Sequence, residues 1–210
     1  MRRLFRVLRW LLGVFAVAVL ALLVIHLALR PNWDAANSEQ YAVLSAYIEP
    51  DLTYYSHDLG SGQGLVVVAA RTTFSRTMVN PSKFKQYMFL VLSTSHAKAT
   101  IHQLSQTLLF EFWATNLWDV TLKPKLQLPA RYELATDGEV KLYPSEAFSR
   151  RFPGSCGALT FSRVAFNSDL TEAFFYTEHL CGLCGEGKFV YMRKNAGKWM
   201  VVDSAGTWIS

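Results

Sequence analysis

The sequence predicts an α+β fold behind a membrane anchor: an N-terminal transmembrane helix, then helices packed on an antiparallel sheet that ends in a four-strand meander. Three observations predict it. An uncharged apolar run fills residues 10–29, apolar residues recur at helical spacing between residues 37 and 113, and strand-like runs with short links occupy residues 159–203. The 210 residues are 51% hydrophobic, 14% aromatic and 18% charged. That balance supplies a packed core and excludes disordered and collagen-like chains.

The first element is the run WLLGVFAVAVLALLVIHLAL from Trp10 to Leu29, which carries no Asp, Glu, Lys or Arg. At about 1.5 Å per residue it reaches about 30 Å, the thickness of a hydrocarbon core, and only a helix satisfies a single segment's backbone there. Arg2, Arg3, Arg6 and Arg9 precede it, while Arg30 is the only Lys or Arg from residue 30 to 70. The positive-inside rule therefore places the N-terminus in the cytoplasm. A cleaved secretory signal is the competing reading. Its apolar stretch usually runs about 7–15 residues, however, and the exit Leu29-Arg30-Pro31 lacks a small-x-small cleavage site, which favours an uncleaved signal-anchor. His26 is expected to stay neutral near the headgroups.

The expected organisation is a cytoplasmic basic N-terminus over residues 1–9, the anchor over 10–29, a linker over 30–36, and an extracytoplasmic domain over 37–210. This describes a single-pass inner-membrane protein whose C-terminal domain is periplasmic or extracellular. The formal charge of +5 comes from Arg2, Arg3, Arg6, Arg9 and Arg30, since the remaining Lys and Arg are matched by 16 Asp and Glu. A formally neutral domain lacks the electrostatic basis for nucleic-acid binding, so no nucleic-acid partner is expected.

Asn37 with Gln40 reads as a helix start ahead of Tyr41, Leu44 and Ile48, and Glu49-Pro50 as its end. The glycines of Gly60–Gly64 precede the β-branched run Leu65–Ala70. A phosphate-cradling loop needs them after a strand, so they form a turn. Asn80-Pro81 resembles a helix cap before Phe84, Tyr87, Met88 and Val91. Thr100 with Gln103 predicts a second start, followed by a core-facing stripe of Ile101, Leu104, Leu108, Phe112 and Trp113. Pro124, Pro129 and Pro144 mark irregular chain around one strand at Arg131–Ala135, and Ser145–Phe152 reads as a short helix. Leu159–Asn167, Thr171–Leu180, Lys188–Lys194 and Lys198–Asp203 are the four strands of the meander. Their short links permit only antiparallel pairing.

Two blocks, EQYAVLSAYIE at residues 39–49 and the stretch from Leu159 to Ser210, resemble a group of uncharacterised bacterial exported proteins. The resemblance rests on a C-G-x-C-G-x-G turn, a G-K-W strand and a terminal W-x-S, here Cys181–Gly187, Gly197–Trp199 and Trp208–Ser210. It implies export and a terminal meander. It carries no activity across, and therefore no catalytic residue.

The sharpest chemical feature is His179-Leu180-Cys181-Gly182-Leu183-Cys184-Gly185-Glu186-Gly187. Cys181 and Cys184 form a candidate disulfide or thiol pair, since an exported domain meets an oxidising compartment and the glycines permit a tight turn. A second reading is a zinc site of His179, Cys181, Cys184 and Cys156, although only one CxxC is present. Redox exchange is a third, but no helix start follows Cys184 to activate a thiolate. Three cysteines leave one unpaired in a monomer, and Cys156 is the candidate, a bridge from Cys156 to Cys181 or to Cys184 being the alternative. No G-x-S-x-G or H-E-x-x-H pattern occurs. His57, His96 and His102 read as surface or cap residues, Arg150-Arg151 as a solvated helix end, and the spacing of Glu172, Glu178 and Glu186 singles out no acid/base pair. Trp113, Trp118, Trp199 and Trp208 suit core packing or a binding groove. The expected function is a membrane-anchored domain that binds a small ligand or an envelope protein without catalysis. The alternative is a thiol/disulfide or zinc protein centred on the CxxC turn.

Overall fold

The computed structural model describes residues 13, 17, 33–56, 64–73, 83–117 and 119–210. The chain divides into two units, Met1–Ala35 and Ala36–Ser210. In the first, Gly13 and Val17 are helical and exposed, and the rest of the expected anchor at 10–29 lies outside the described residues. Among the described residues no helix is long and apolar enough to cross a membrane.

The second unit is α+β. Helix α1 (Trp33–Ile48) buries Gln40, Val43, Leu44, Tyr47 and Ile48, the i, i+3, i+4, i+7, i+8 positions of one face. Pro50 lacks the N–H that would extend it, and the chain turns through a 3₁₀ segment (Glu49–Asp51) into the single turn α2 (Leu52–Tyr55). Strand β1 (Leu65–Ala69) is buried throughout. Helices α3 (Lys83–Thr100) and α4 (Gln106–Thr115) follow, then strand β2 (Arg131–Ala135) and the short helices α5 (Asp137–Val140) and α6 (Glu146–Arg151). Strands β3 (Ala158–Phe161), β4 (Ala165–Phe166), β5 (Glu172–Leu180), β6 (Glu186–Asn195) and β7 (Lys198–Ile209) complete the sheet.

The terminal meander forms as expected, with the first strand broken into β3 and β4, both antiparallel to β5. The expectation of a wholly antiparallel sheet is corrected. The order is β2-β1-β3-β5-β6-β7, and β1 runs parallel to both β2 and β3. Parallel neighbours need long crossovers, and α3 with α4 fills the one from β1 to β2. Burial on both faces gives β1 the continuous run LVVVA rather than an alternating one.

Helices therefore cover both faces, not one. Val66, Val68, Leu159, Phe175 and Val190 pack with Val43, Leu44, Tyr47 and Ile48 of α1. On the other face Phe174, Tyr176, Phe189 and Tyr191 pack with Leu104, Leu108 and Phe112, and Leu65, Val67 and Ala158 with Val140, Phe148 and Phe152.

The second helix start moves from Thr100 to Ser105. Thr100 ends α3 with its hydroxyl donating to the His96 carbonyl, and the Ser105 hydroxyl accepts the Leu108 N–H at 3.0 Å. The stripe Ile101, Leu104, Leu108 and Phe112 is core, and Trp113 Nε1 ties α4 to α3 by donating to Thr94 Oγ1 at 3.0 Å. The cap Asn80-Pro81 lies outside the described residues. The irregular stretch before β2 finds its partners in side chains. Tyr41 and Ser45 of α1 accept the Lys123 and Gln127 N–H groups, and Tyr132 accepts that of Leu126.

Candidate functional site

Because Ala158 pairs with Leu180, the chain entering β3 lies beside the turn leaving β5. Gly157 sits between them at φ 109°, where a Cβ would collide with the Leu180 carbonyl, so only glycine fits. The preceding residues are held from the other side. Cys156 N–H donates to the Tyr55 carbonyl at 3.3 Å, and Ser155 bridges to Ser56 after α2.

The turn itself is a single 3₁₀ segment, Gly182–Cys184, across which a disulfide joins Cys181 to Cys184 with their Cα atoms 5.0 Å apart. Tyr54 donates its hydroxyl proton to the Cys184 carbonyl at 2.9 Å. Gly185 and Ser210 clasp reciprocally: the Gly185 N–H donates to Ser210 Oγ at 3.0 Å, and the Ser210 N–H to the Gly185 carbonyl at 2.9 Å. A Cβ on Gly187 would strike the Trp208 indole and the Tyr176 hydroxyl, and Trp208 Nε1 donates to that hydroxyl at 3.1 Å. Tyr176 in turn donates to Glu178, whose side chain is fully buried. Burial first, and the Glu178 charge second, push the Tyr176 phenol well above its ordinary value.

The two sequence blocks also meet. Lys194 Nζ and Trp199 Nε1 both donate to Glu39 Oε1, at 2.6 and 2.5 Å. Burial raises the Glu39 carboxyl, but these two bonds and the lysine charge outweigh it and hold the group below the usual range. The glycines, tryptophans and terminal serine of the motif thus brace the β5–β6 turn, and the residues left at the surface are Cys184 and Leu183, the latter 96% exposed.

His179 faces the α1 side, enclosed by the rings of Tyr54 and Tyr55 at 5.0 and 5.1 Å. It is 2% exposed; its Nε2 lies 3.0 Å from the Cys156 carbonyl, an acceptor only, so Nε2 carries the proton and Nδ1 has no partner among the described residues. Burial is the main cause that pushes its pKa down to about 4, with Lys188 acting in the same direction and the Cys156 bond and Glu186 against it. The Nε2 of the zinc reading is thus engaged by backbone. Among the described residues no group of three or more His, Cys, Asp or Glu is disposed to hold a metal.

Between these elements lies a cleft of about 560 Å³. It is lined by Thr53 and Tyr54 of α2, by Tyr143, Pro144, Phe148 and Ser149 of the α5–α6 region, and by Ser155, Cys156, Gly157, Cys181 and Cys184. Its volume is that of a small-molecule site, and its described lining offers aromatic faces and hydroxyls without a charged side chain. Burial pushes the Cys156 thiol up.

The remaining candidates lie apart. Glu172 pairs with Arg193 and accepts from Tyr191, and Glu186 pairs with Lys188. Arg151 bridges Glu133 and Glu139 at 2.9 Å each, and Trp199 is buried in the α1 core. His96 and His102 are exposed, whereas His57 and Trp118 lie outside the described residues. Sequence reading missed Tyr54, Tyr143 and Ser149. They come from two separate segments, and no local pattern marks them as lining one cleft. Comparison with protein families, curated proteins and solved structures finds no match for this chain.

Proposed function

We propose that the protein is a binding domain, held at the membrane by residues 10–29 and facing the outside of the cytoplasm, whose cleft beside the Cys181–Cys184 turn takes an uncharged, hydroxyl-bearing ligand or a neutral stretch of an envelope protein. The chain belongs in this reading with the exported proteins that share its CGxCGxG and WxS motifs. The observation that carries it is the cleft's composition. Tyr54 and Tyr143 present apolar faces, while Thr53 and Ser149 present hydroxyls, the pairing that orients neutral ligands in apolar pockets.

The test is ligand-observed saturation-transfer NMR on the full chain in detergent, with a panel of neutral sugars, N-acetylated amino sugars and uncharged tripeptides. Signals that disappear when Ser149→Trp fills the cleft support the reading. Equal signals from both proteins, or none from either, remove it. A reporter fused after Ser210 should be active outside the cytoplasm, and activity inside would overturn the topology.

A further inference from the structure

All three cysteines of the chain stand on the walls of one cleft. Two are already joined, and the third is a half-buried free thiol. Their placement follows from strand register. One step beyond the Ala158–Leu180 pair sets Gly157 opposite Cys181, and a Cβ built on Gly157 lies 3.3 Å from the Cys181 Cα. Cys156 is the residue before Gly157 and lines the same cleft as Cys181, its carbonyl held by His179 and its N–H by Tyr55.

We propose that Cys156, Cys181 and Cys184 form a thiol–disulfide exchange unit, in which the disulfide moves between Cys181–Cys184 and Cys156–Cys181. In the forward step Cys156 loses its proton to solvent and its sulfur bonds to Cys181 Sγ. The Cys181–Cys184 bond breaks, its electron pair stays on Cys184, and Cys184 takes up a proton. One thiol and one disulfide exist before and after, so no oxidant or reductant is consumed. Cys181 is the sulfur attacked because it is the one beside the β3 entry. Cys184 is the leaving group because it is the exposed member, where water solvates the departing thiolate.

The exchange changes the cleft. The new bond staples the β3 entry to the end of β5, while the turn that presents Leu183 is released from Cys181. A thiol then stands at the mouth where a disulfide stood. The proposal holds whatever the cleft binds, and its test is separate from ligand binding.

The full chain is purified without reductant, and samples are quenched with acid over time, alkylated with N-ethylmaleimide and mapped by peptide mass spectrometry. The expected result is two populations: one alkylated at Cys156 with Cys181–Cys184 linked, the other alkylated at Cys184 with Cys156–Cys181 linked. Alkylation confined to Cys156, or alkylated Cys184 without the Cys156–Cys181 peptide, overturns the proposal. In Cys184→Ser, oxidised glutathione should drive Cys156–Cys181 closure and leave no free thiol. Two free thiols or glutathione adducts in a folded variant would reject it, and if that variant does not fold the wild-type mapping decides alone.

Discussion

The two halves of the sheet are built by different rules. From β3 to β7 each strand pairs with a close neighbour in sequence through a short link, in antiparallel register. On the other side β1 pairs with β2 and β3, both distant in sequence, and both parallel. The first half is therefore a product of local turns, the second of long crossovers packed on both faces of the sheet. The cleft lies where the halves join, since β3 belongs to both. That position teaches why the site draws residues from α2, the α5–α6 region, the β3 entry and the β5–β6 turn together.

The largest expected effect tests the seam itself. Gly157→Ala forces a side chain into the Leu180 carbonyl at a positive φ, and we expect a loss of more than about 4 kcal/mol in urea unfolding, or failure to fold. A loss under about 1 kcal/mol would mean that β3 and β5 approach each other differently.

His179, also at the seam, should make stability depend on pH. Its folded pKa of about 4 lies below the ordinary 6.5. Above 6.5 both states are neutral and the contribution is complete. As pH falls from 6.5 to 4 the unfolded chain takes up a proton that the folded one refuses, so stability drops by about 3 kcal/mol. His179→Gln should flatten that window in a pH series of unfolding curves; an unchanged slope would show that the imidazole is not the source.

Between the halves the comparison is kinetic. Val68→Ala in β1 and Val190→Ala in β6 each remove fully buried methyl groups and should cost about 2 kcal/mol. If the locally linked half forms first, Val190→Ala slows folding, whereas Val68→Ala chiefly speeds unfolding. The reverse pattern in a chevron analysis would break the distinction.

Smaller still is Glu39→Gln, which loses the charged acceptor of Lys194 and Trp199 and should cost about 1 kcal/mol at pH 7. Its folded pKa lies below the ordinary 4.5, so the stabilisation is present above 4.5 and fades as pH falls through the folded value. The variant should therefore lose less than the wild type on acidification. Gly206→Ala closes the series: among the described residues nothing lies within 4 Å of its Cβ position, and a destabilisation beyond about 0.5 kcal/mol would contradict that open space.

Much of this fold was legible because period and turn chemistry are local. The stripe from Ile101 to Phe112, the strand at Arg131–Ala135 and the runs of the meander needed only their own residues to be read. Thr100 misled because its pairing with Gln103 imitates a cap, while Ser105 supplies the hydroxyl that the helix uses. Of the site, Cys181 and Cys184 stood out by spacing and Cys156 by arithmetic. Tyr54, Tyr143 and Ser149 carried no signal, since a cleft wall assembled from separate segments leaves no periodic trace.

By itself the sequence determined the buried faces of α1 and α4 and the antiparallel order of the last strands, because apolar period and short links leave few alternatives. Tertiary structure alone decided that β1 joins β2 and β3 in parallel, that Glu178 and His179 are buried, and that Cys156 arrives beside Cys181. Each of these depends on which distant segments share a face, a choice settled by packing and by backbone hydrogen bonds between strands far apart in the chain.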